Sequence, residues 1–171
     1  IDIVGPAWEV QKELSSMPSM EKVEGTYGEE ERALRDFKKI ILMTAGAAAK
    51  MQMDGKLNLK EEQEIVMNVA DMMIDTFVAE SLLLRVQKLS GMSSLPVTQE
   101  VYDAMLRTVF HDTTAKMSKN ATDAISSFAE GDLLRTFIMG LKRYTKYPPV
   151  NVRNTRRLVA SKLIEAGGYC F

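Results

Sequence analysis

The sequence predicts an all-α fold, an up-and-down bundle of four or five main helices. Apolar residues recur at helical spacing in several long segments, and no segment alternates with period two for long enough to form a strand. Short loops separate these segments, so consecutive helices should lie antiparallel. With 171 residues, of which 46% are apolar and 26% are charged, the chain suits one globular domain over residues 1–171.

The first 28 residues are predicted to form a short lead-in helix and a linker. The helix covers residues 1–17, where Pro6 suits the first helical position. Its apolar edge consists of Ala7, Val10, Leu14 and Met17. Trp8 should anchor this helix to a neighbour, and part of its ring should be exposed if that neighbour lies outside the chain. Residues 18–28 are polar and contain Gly, which indicates a linker before the bundle of residues 29–166.

The two longest helices are predicted between Glu30 and Leu89, joined by the turn Asp54-Gly55-Lys56. The first contains the run Ala45-Gly46-Ala47-Ala48-Ala49, and small residues of this kind permit close approach of a neighbouring helix. The second carries a broad apolar stripe. Its members are Ile65, Val66, Val69, Met72, Met73, Phe77, Leu82, Leu83 and Val86.

Capping residues set the expected ends of the helices. Asn58, followed three residues later by Glu61, fits a capping box at the start of the second long helix, and Gly91 lies where its C-cap is needed. Gly131 breaks the third helix, and Tyr147-Pro148-Pro149 stops the fourth. The expected boundaries of the last three helices are Thr98 and Phe128, Asp132 and Tyr144, and Asn151 and Gly167.

The residues that most often carry chemistry have simpler interpretations here. His111 is the only histidine, and no good metal ligand occupies the positions three or four residues away on its helix. Asp71 and Asp75 lie four residues apart, but a di-metal site in a bundle needs Glu-x-x-His, which is absent. We interpret them as a polar face that meets Lys or Arg from a neighbouring helix. Gly-rich phosphate-binding motifs are absent too.

Charge is distributed unevenly along the chain. Residues 132–171 carry eight Lys/Arg and two acidic residues, a net +6, whereas residues 1–131 carry −7. The basic end predicts either pairing with the acidic part of the chain or docking on an anionic membrane or an acidic partner. We favour pairing, and we expect no binding to nucleic acid. The candidate docking residues are Lys142, Arg143, Lys146, Arg153, Arg156, Arg157 and Lys162.

Two segments of the long helices carry a resemblance to a known family. They read A-L-R-D-F-K-K-I-I-L-M-T-A-G-A-A-A from Ala33 and E-E-Q-E-I-V-M-N-V-A-D-M-M-I-D-T-F-V-A-E-S-L-L-L-R from Glu61. They resemble the C-terminal helical extension of bacterial acyl-CoA dehydrogenases related to the very-long-chain enzyme. The opening Ile1 to Ala7 resembles the segment that leaves the flavoprotein core in that family.

The resemblance implies a noncatalytic domain that packs on the catalytic core of its own polypeptide. The parent would be a homodimeric, FAD-dependent enzyme of fatty acid β-oxidation, and the extension would influence oligomerisation or peripheral membrane contact. The family's catalytic Glu belongs to an R-I-(F/Y)-E-G-T type motif that this sequence does not contain. We therefore assign no catalytic, cofactor-binding or metal-binding residue, and no cofactor, to this chain.

Other classes of protein stay open at this stage. The main alternative is a stand-alone helical module whose basic C-terminal segment docks on an anionic membrane or an acidic partner, and a metal-dependent helical enzyme ranks below it. The single Cys170 and the lack of a signal peptide predict a cytoplasmic protein, peripheral to the inner membrane if the basic end binds lipid. The absence of an initiating Met suggests that Ile1 is a cut end.

Overall fold

A computed structural model describes residues 3–16 and 23–171 of the chain. Within these ranges it contains six α-helices and no β-strand, which confirms the predicted all-α bundle. The helices are α1 (Val4–Ser15), α2 (Gly28–Met53), α3 (Gln63–Ser90), α4 (Gln99–Phe128), α5 (Gly131–Tyr144) and α6 (Val152–Ala166). Met17, predicted on the edge of the lead-in helix, and residues 18–22 of the predicted linker lie outside the described ranges. No helix in the described part is long and apolar enough to cross a membrane.

Helix α2 occupies the centre of the bundle. It contacts α1, α3, α4 and α5, and most of its side chains are buried or half-buried. Phe37 is fully buried and stacks on Phe110 of α4, with 6.0 Å between ring centroids. Helix α4 contacts α2, α3, α5 and α6, so these two long helices contribute most of the core. Burial of apolar side chains along both helices is therefore the main stabilising contribution.

The small-residue run on α2 is the contact site of α1. A Cβ atom at Gly46 would lie only 2.1 Å from the Cβ of Ala7, so α1 packs directly against the α2 backbone. Ala7 and Val10 of α1 are buried in this contact, as the predicted apolar edge requires. The interpretation of the run as a site of close helix approach is confirmed.

Helix α3 begins later than predicted. Asn58 accepts hydrogen bonds from the Lys60 amide on its side-chain Oδ1 (3.2 Å) and from the amides of Glu61 and Glu62 on its carbonyl. These bonds form one isolated turn, because Glu62 adopts φ −90° and ψ 58°, outside the helical region. The predicted capping box at Asn58 is therefore wrong. The chain reverses at Gly55, whose φ of +68° favours glycine, and reaches α3 only at Gln63.

The predicted ends of α2 and of α4 to α6, and the C-terminal end of α3, agree with the structure to within two residues. Helix α1 begins at Val4, so Pro6 is its third residue and the prediction of Pro6 at the first helical position is wrong. Asn151 accepts a hydrogen bond from the Asn154 amide at the start of α6, and Gly167 ends α6 in the left-handed conformation. Thr98 occupies the N-cap of α4, although its side chain makes no capping bond. Helix α4 ends at Phe128, before Gly131, and Gly131 is the first residue of α5, so Asp132 lies in the first turn and is not the predicted cap. With φ +58°, Gly131 lets the chain turn sharply from α4 into α5.

Helix α6 lies on the outside of the bundle and contacts α4. None of its residues, all of which the structure describes, is fully buried. Arg156 donates from Nη2 to both carboxylate oxygens of Asp112 on α4, each at 2.8 Å. The hydroxyls of Thr155 and Thr108 lie 2.6 Å apart. Polar contacts therefore take part in the docking of α6 on α4.

Candidate functional site

Helix α3 presents a continuous apolar surface to solvent. At 3.6 residues per turn its exposed apolar positions cover roughly 140° of the circumference and extend for about 27 Å. Phe77 is 68% exposed, and Met67 is 64% exposed. We call this surface the outer α3 stripe; its members are Val66, Met67, Ala70, Met73, Ile74, Phe77, Val78, Ser81 and Leu84. Exposed apolar surface of this extent marks an interaction site in most proteins.

The predicted apolar stripe of α3 is in fact two surfaces. Ile65, Met72, Leu83 and Val86 point into the core, as predicted. Val66, Met73 and Phe77 were predicted on the same buried face but lie in the outer α3 stripe. The correction has a simple cause, because the apolar residues of α3 surround most of the helix and only its neighbours decide which of them are covered. Four more large apolar members of the outer α3 stripe were not predicted on that face: Met67, Ile74, Val78 and Leu84.

Ion pairs on both sides fix the orientation of the stripe. On one side Lys38 of α2 contacts Glu80 at 2.7 Å, and on the other Lys116 of α4 contacts Asp75 at 2.8 Å. The hydrogen bond to Asp75 raises the pKa of Lys116 above its usual value. The interpretation of Asp75 as a partner for a Lys of a neighbouring helix is thus confirmed. Both pairs lie beside the stripe, so its centre is left without charge.

A groove of about 310 Å³ adjoins the stripe between α3, α4 and α6. Leu82 of α3 lies on its wall, one helical turn after Val78 of the stripe. The opposite wall comes from α6, with Val159 and Leu163, and the only charged side chain on the lining is Arg156. Because Arg156 is already paired with Asp112, the groove has a mainly apolar lining and little unpaired charge.

The basic residues predicted as a docking set fall into two groups. Arg143 is 19% exposed; it donates to the carbonyls of Glu13 (2.9 Å) and Ser16 (3.2 Å) and so caps the end of α1. Arg156 and Lys162 are paired with Asp112 and Glu165. The remaining four are exposed and form no ion pair within the described residues: Lys142, Lys146, Arg153 and Arg157.

The segment after α5 is held by a buried carboxylate. Glu30 of α2 is 6% exposed and accepts a hydrogen bond from the Tyr147 hydroxyl at 2.6 Å. Burial, together with this bond, raises the pKa of Tyr147. The neighbouring groove, of about 290 Å³, is lined by His111 and Pro148 among others. His111 is half-buried at this groove, and the described residues contain no group of three His, Cys, Asp or Glu able to hold a metal.

Trp8 is 58% exposed on α1, as expected if its neighbour lies outside the chain. A groove of about 620 Å³ lies between residues 92–98 and the end of α6. Its charged side chains, Lys162 and Glu165, bond to each other at 2.7 Å. The described residues thus form a large exposed apolar face, and the charged side chains at two of the grooves are paired with each other or with a neighbour. This arrangement is suited to binding another protein surface.

Comparison with known proteins agrees with this description. The sequence model of the family described as "Acyl-CoA dehydrogenase, C-terminal domain" matches residues 36–143, more than half of the chain. The chain belongs to this family. A probable acyl-CoA dehydrogenase of Bacillus subtilis (strain 168) is 31% identical over 166 residues, covering 95% of this chain and 27% of that protein. The resemblance inferred from the two long helices is confirmed at the level of the family.

A solved structure shares the fold over nearly the whole chain. The crystal structure of acyl-CoA dehydrogenase complexed with FAD from Bacillus anthracis has a TM-score of 0.81 and 26% identity. The similarity covers 97% of this chain and 27% of that one. The chain therefore spans about a quarter of the length of both relatives.

Proposed function

We propose that this chain is the noncatalytic C-terminal helical domain of an FAD-dependent acyl-CoA dehydrogenase of fatty acid β-oxidation, of the type related to the very-long-chain enzyme. The observation that carries the proposal is the match of 95% of the chain to 27% of a probable acyl-CoA dehydrogenase. The FAD bound by the Bacillus anthracis enzyme supports a flavin in the parent protein.

The residues of this chain do not fit a flavin of their own. A dinucleotide is usually held by a Gly-rich turn whose backbone amides meet the pyrophosphate at a helix N-terminus. No Gly-x-Gly-x-x-Gly is present in the sequence. In the groove between residues 92–98 and the end of α6, the Lys162 ammonium is already paired with Glu165. FAD and the reacting acyl-CoA therefore belong to the rest of the parent polypeptide in this proposal.

The domain acts by packing on the catalytic core of the same polypeptide, and through that contact it influences the oligomeric state, a homodimer in this proposal. The large exposed apolar surface on α3 supports such a role, because an exposed apolar patch of this size usually marks an interaction site. Exposed Trp8 on α1 supports it as well.

Truncation of the parent enzyme tests the proposal. The full-length protein should contain FAD and dehydrogenate long-chain acyl-CoA, and the 171-residue chain alone should do neither. Removal of the domain should change the sedimentation behaviour of the remaining protein, because it uncovers the apolar surface on which the domain packs. FAD binding and dehydrogenation by the 171-residue chain alone would contradict the proposal.

The second candidate is a module that docks through its basic end on an anionic membrane or an acidic partner. Arg153 and Arg157 are exposed and form no ion pair with any described residue, and this favours the second candidate. The test is co-sedimentation with vesicles rich in phosphatidylserine, comparing the chain with the double variant Arg153→Glu, Arg157→Glu. Arg156 is not suitable for this test, since its reversal breaks the pair with Asp112.

The matched control for that test reverses two exposed lysines far from the basic end, Lys56→Glu and Lys60→Glu. Docking through the basic end predicts binding that weakens with salt and with the arginine variant, and that the lysine variant changes less. Equal loss with both variants indicates net charge alone, and no binding at low salt removes the membrane version.

A further inference from the structure

We propose that the outer α3 stripe is the surface that docks on the catalytic core of the same polypeptide. This inference rests on the function proposed above and adds to it the contact surface and the chemistry of the partner. The partner surface is apolar and uncharged over its centre. Its shape fits a stripe about 27 Å long, the length of 18 residues of α-helix.

The bundle itself cannot cover the outer α3 stripe. Helix α3 contacts α2 and α4, and the pairs Lys38–Glu80 and Lys116–Asp75 fix it on both. A rotation of α3 that buried Phe77 would break both pairs and expose the core residues Met72 and Leu83. The outward direction of the stripe is therefore a property of the folded domain.

The outer α3 stripe is large enough to form a stable interface. Seven large apolar side chains of the stripe are between 48% and 68% exposed. Together they exceed the roughly 300–600 Å² of the largest apolar patch on a typical monomeric protein. A specific interface of standard size buries about 800 Å² on each partner, so the stripe and the adjoining groove supply enough area for a permanent contact.

The charge of α3 disfavours an anionic lipid surface as the partner of the outer α3 stripe. From Gln63 to Leu84, α3 contains four acidic residues and no Lys or Arg, and two of the four, Glu64 and Asp71, form no ion pair within the described residues. An anionic lipid surface is repelled by such a helix.

This fold also occurs as one part of a longer polypeptide. The same fold, with a TM-score of 0.81, occupies 27% of the Bacillus anthracis acyl-CoA dehydrogenase chain. A domain joined to a larger body meets that body at a high effective concentration, so the core is the partner that reaches the stripe most readily.

The experiment introduces a charge into the stripe and follows two proteins. Phe77→Asp is compared with Met139→Asp, whose side chain is similarly exposed (66%) on α5, away from the stripe. In the 171-residue chain neither change should shift the midpoint of thermal unfolding. In the full-length enzyme Phe77→Asp should speed proteolytic release of the helical domain by roughly tenfold or more, since a charge has to be buried or the contact opened. Met139→Asp should not.

Three results overturn the proposal. One is an unchanged release rate for Phe77→Asp in the full-length enzyme. Another is self-association of the isolated chain that Phe77→Asp abolishes while the full-length enzyme is unaffected, which assigns the stripe to a second copy. The last is loss of vesicle binding with no change in release, which assigns it to lipid. FAD content and dehydrogenase activity of the same full-length preparation are measured separately, and their absence rejects the proposed function whatever the stripe does.

Discussion

Helices α2 and α3 are similar in length but differ in what surrounds them. Helix α2 has 26 residues and is covered by α1, α3, α4 and α5, whereas α3 has 28 residues and contacts only α2 and α4 among elements with extensive contacts. Gly46 of α2 lies under α1, and Ala48 is buried in the core, so the Ala-rich run is covered inside the domain. The stripe of α3 has no such cover. The Ala-rich run is therefore not available for contact with a partner outside the domain.

Helical periodicity therefore predicts that a helix has an apolar face, but not which partner covers that face. Both helices carry apolar side chains around most of their circumference. In α2 they contribute to the stability of the domain, and in the outer α3 stripe they are available for binding. Substitutions on the two helices should therefore affect different properties, and four predictions follow from the largest expected effect to the smallest.

The contrast between α2 and α3 is contradicted if removing an aromatic ring from each helix has the same effect on stability. Phe37→Ala removes a fully buried ring that stacks on Phe110, and we expect a loss of about 3–5 kcal/mol in the free energy of unfolding of the isolated chain. Phe77→Ala removes an exposed ring, and the change should stay within about 0.5 kcal/mol. Urea denaturation followed by circular dichroism measures both. A loss of several kcal/mol for Phe77→Ala would place that ring in the core.

Buried polar groups sharpen the contrast, because α2 buries a carboxylate that needs its partner. Tyr147→Phe leaves Glu30 without its 2.6 Å hydrogen bond, and the expected cost is about 1–3 kcal/mol. The matched control is Tyr169→Phe, since Tyr169 is 81% exposed and its hydroxyl is accessible to water. Chemical denaturation of the two variants tests this difference, and equal stability of both would show that the Glu30 bond contributes nothing.

Close helix approach on α2 is tested by adding one methyl group. Gly46→Ala places a Cβ atom 2.1 Å from that of Ala7, and the resulting strain should outweigh the gain in helix propensity and cost on the order of 1 kcal/mol. Gly91→Ala is the control, because Gly91 has φ −92° and its nearest atom would be 3.7 Å away. Gly91→Ala should change stability by less than about 0.5 kcal/mol. Stabilisation by Gly46→Ala would mean that α1 does not pack there.

The smallest effect concerns a half-buried carboxylate of α2 and its dependence on pH. Burial raises the pKa of Asp36 above 3.8, with Lys39 and Arg32 acting in the opposite direction. The folded state therefore holds this proton more tightly than the unfolded state, so the contribution of Asp36 to stability is greatest below pH 3.8 and falls as pH rises through the folded pKa. Asp36→Asn should be more stable than the parent at pH 7, and the difference should shrink towards pH 4. The exposed Asp71→Asn serves as control, and a gain that grows with acidity would contradict the prediction.

Much of the fold was predictable from the sequence, for local physical reasons. Capping and breaking residues act on their own neighbours, so Asn151 and Gly167 placed α6 correctly. The close approach at Gly46 followed from side-chain size alone. Asn58 misled because a good capping residue also stabilises an isolated turn, and only the backbone angles of Glu62 show that the helix has not yet started.

The interaction surface was harder to predict than the fold. The exposure of Met67 or Phe77 depends on which helices lie beside α3, and this information is spread over the whole chain. The role of Arg143 was missed for the same reason, since Glu13 and Ser16 are more than 100 residues away in sequence. One signal was present: apolar residues on α3 cover too much of the helix for two neighbours to bury.

The most direct test of the account is methionine oxidation by hydrogen peroxide, measured by mass spectrometry in the isolated chain and in the full-length enzyme. The buried Met43, Met72 and Met117 and the exposed Met139 provide an internal scale. We expect Met67 and Met73 of the stripe to oxidise as fast as Met139 in the isolated chain. In the full-length enzyme they should be protected to a level near that of the buried methionines. Equal oxidation of Met67 and Met73 in both proteins would contradict docking of the stripe on the catalytic core.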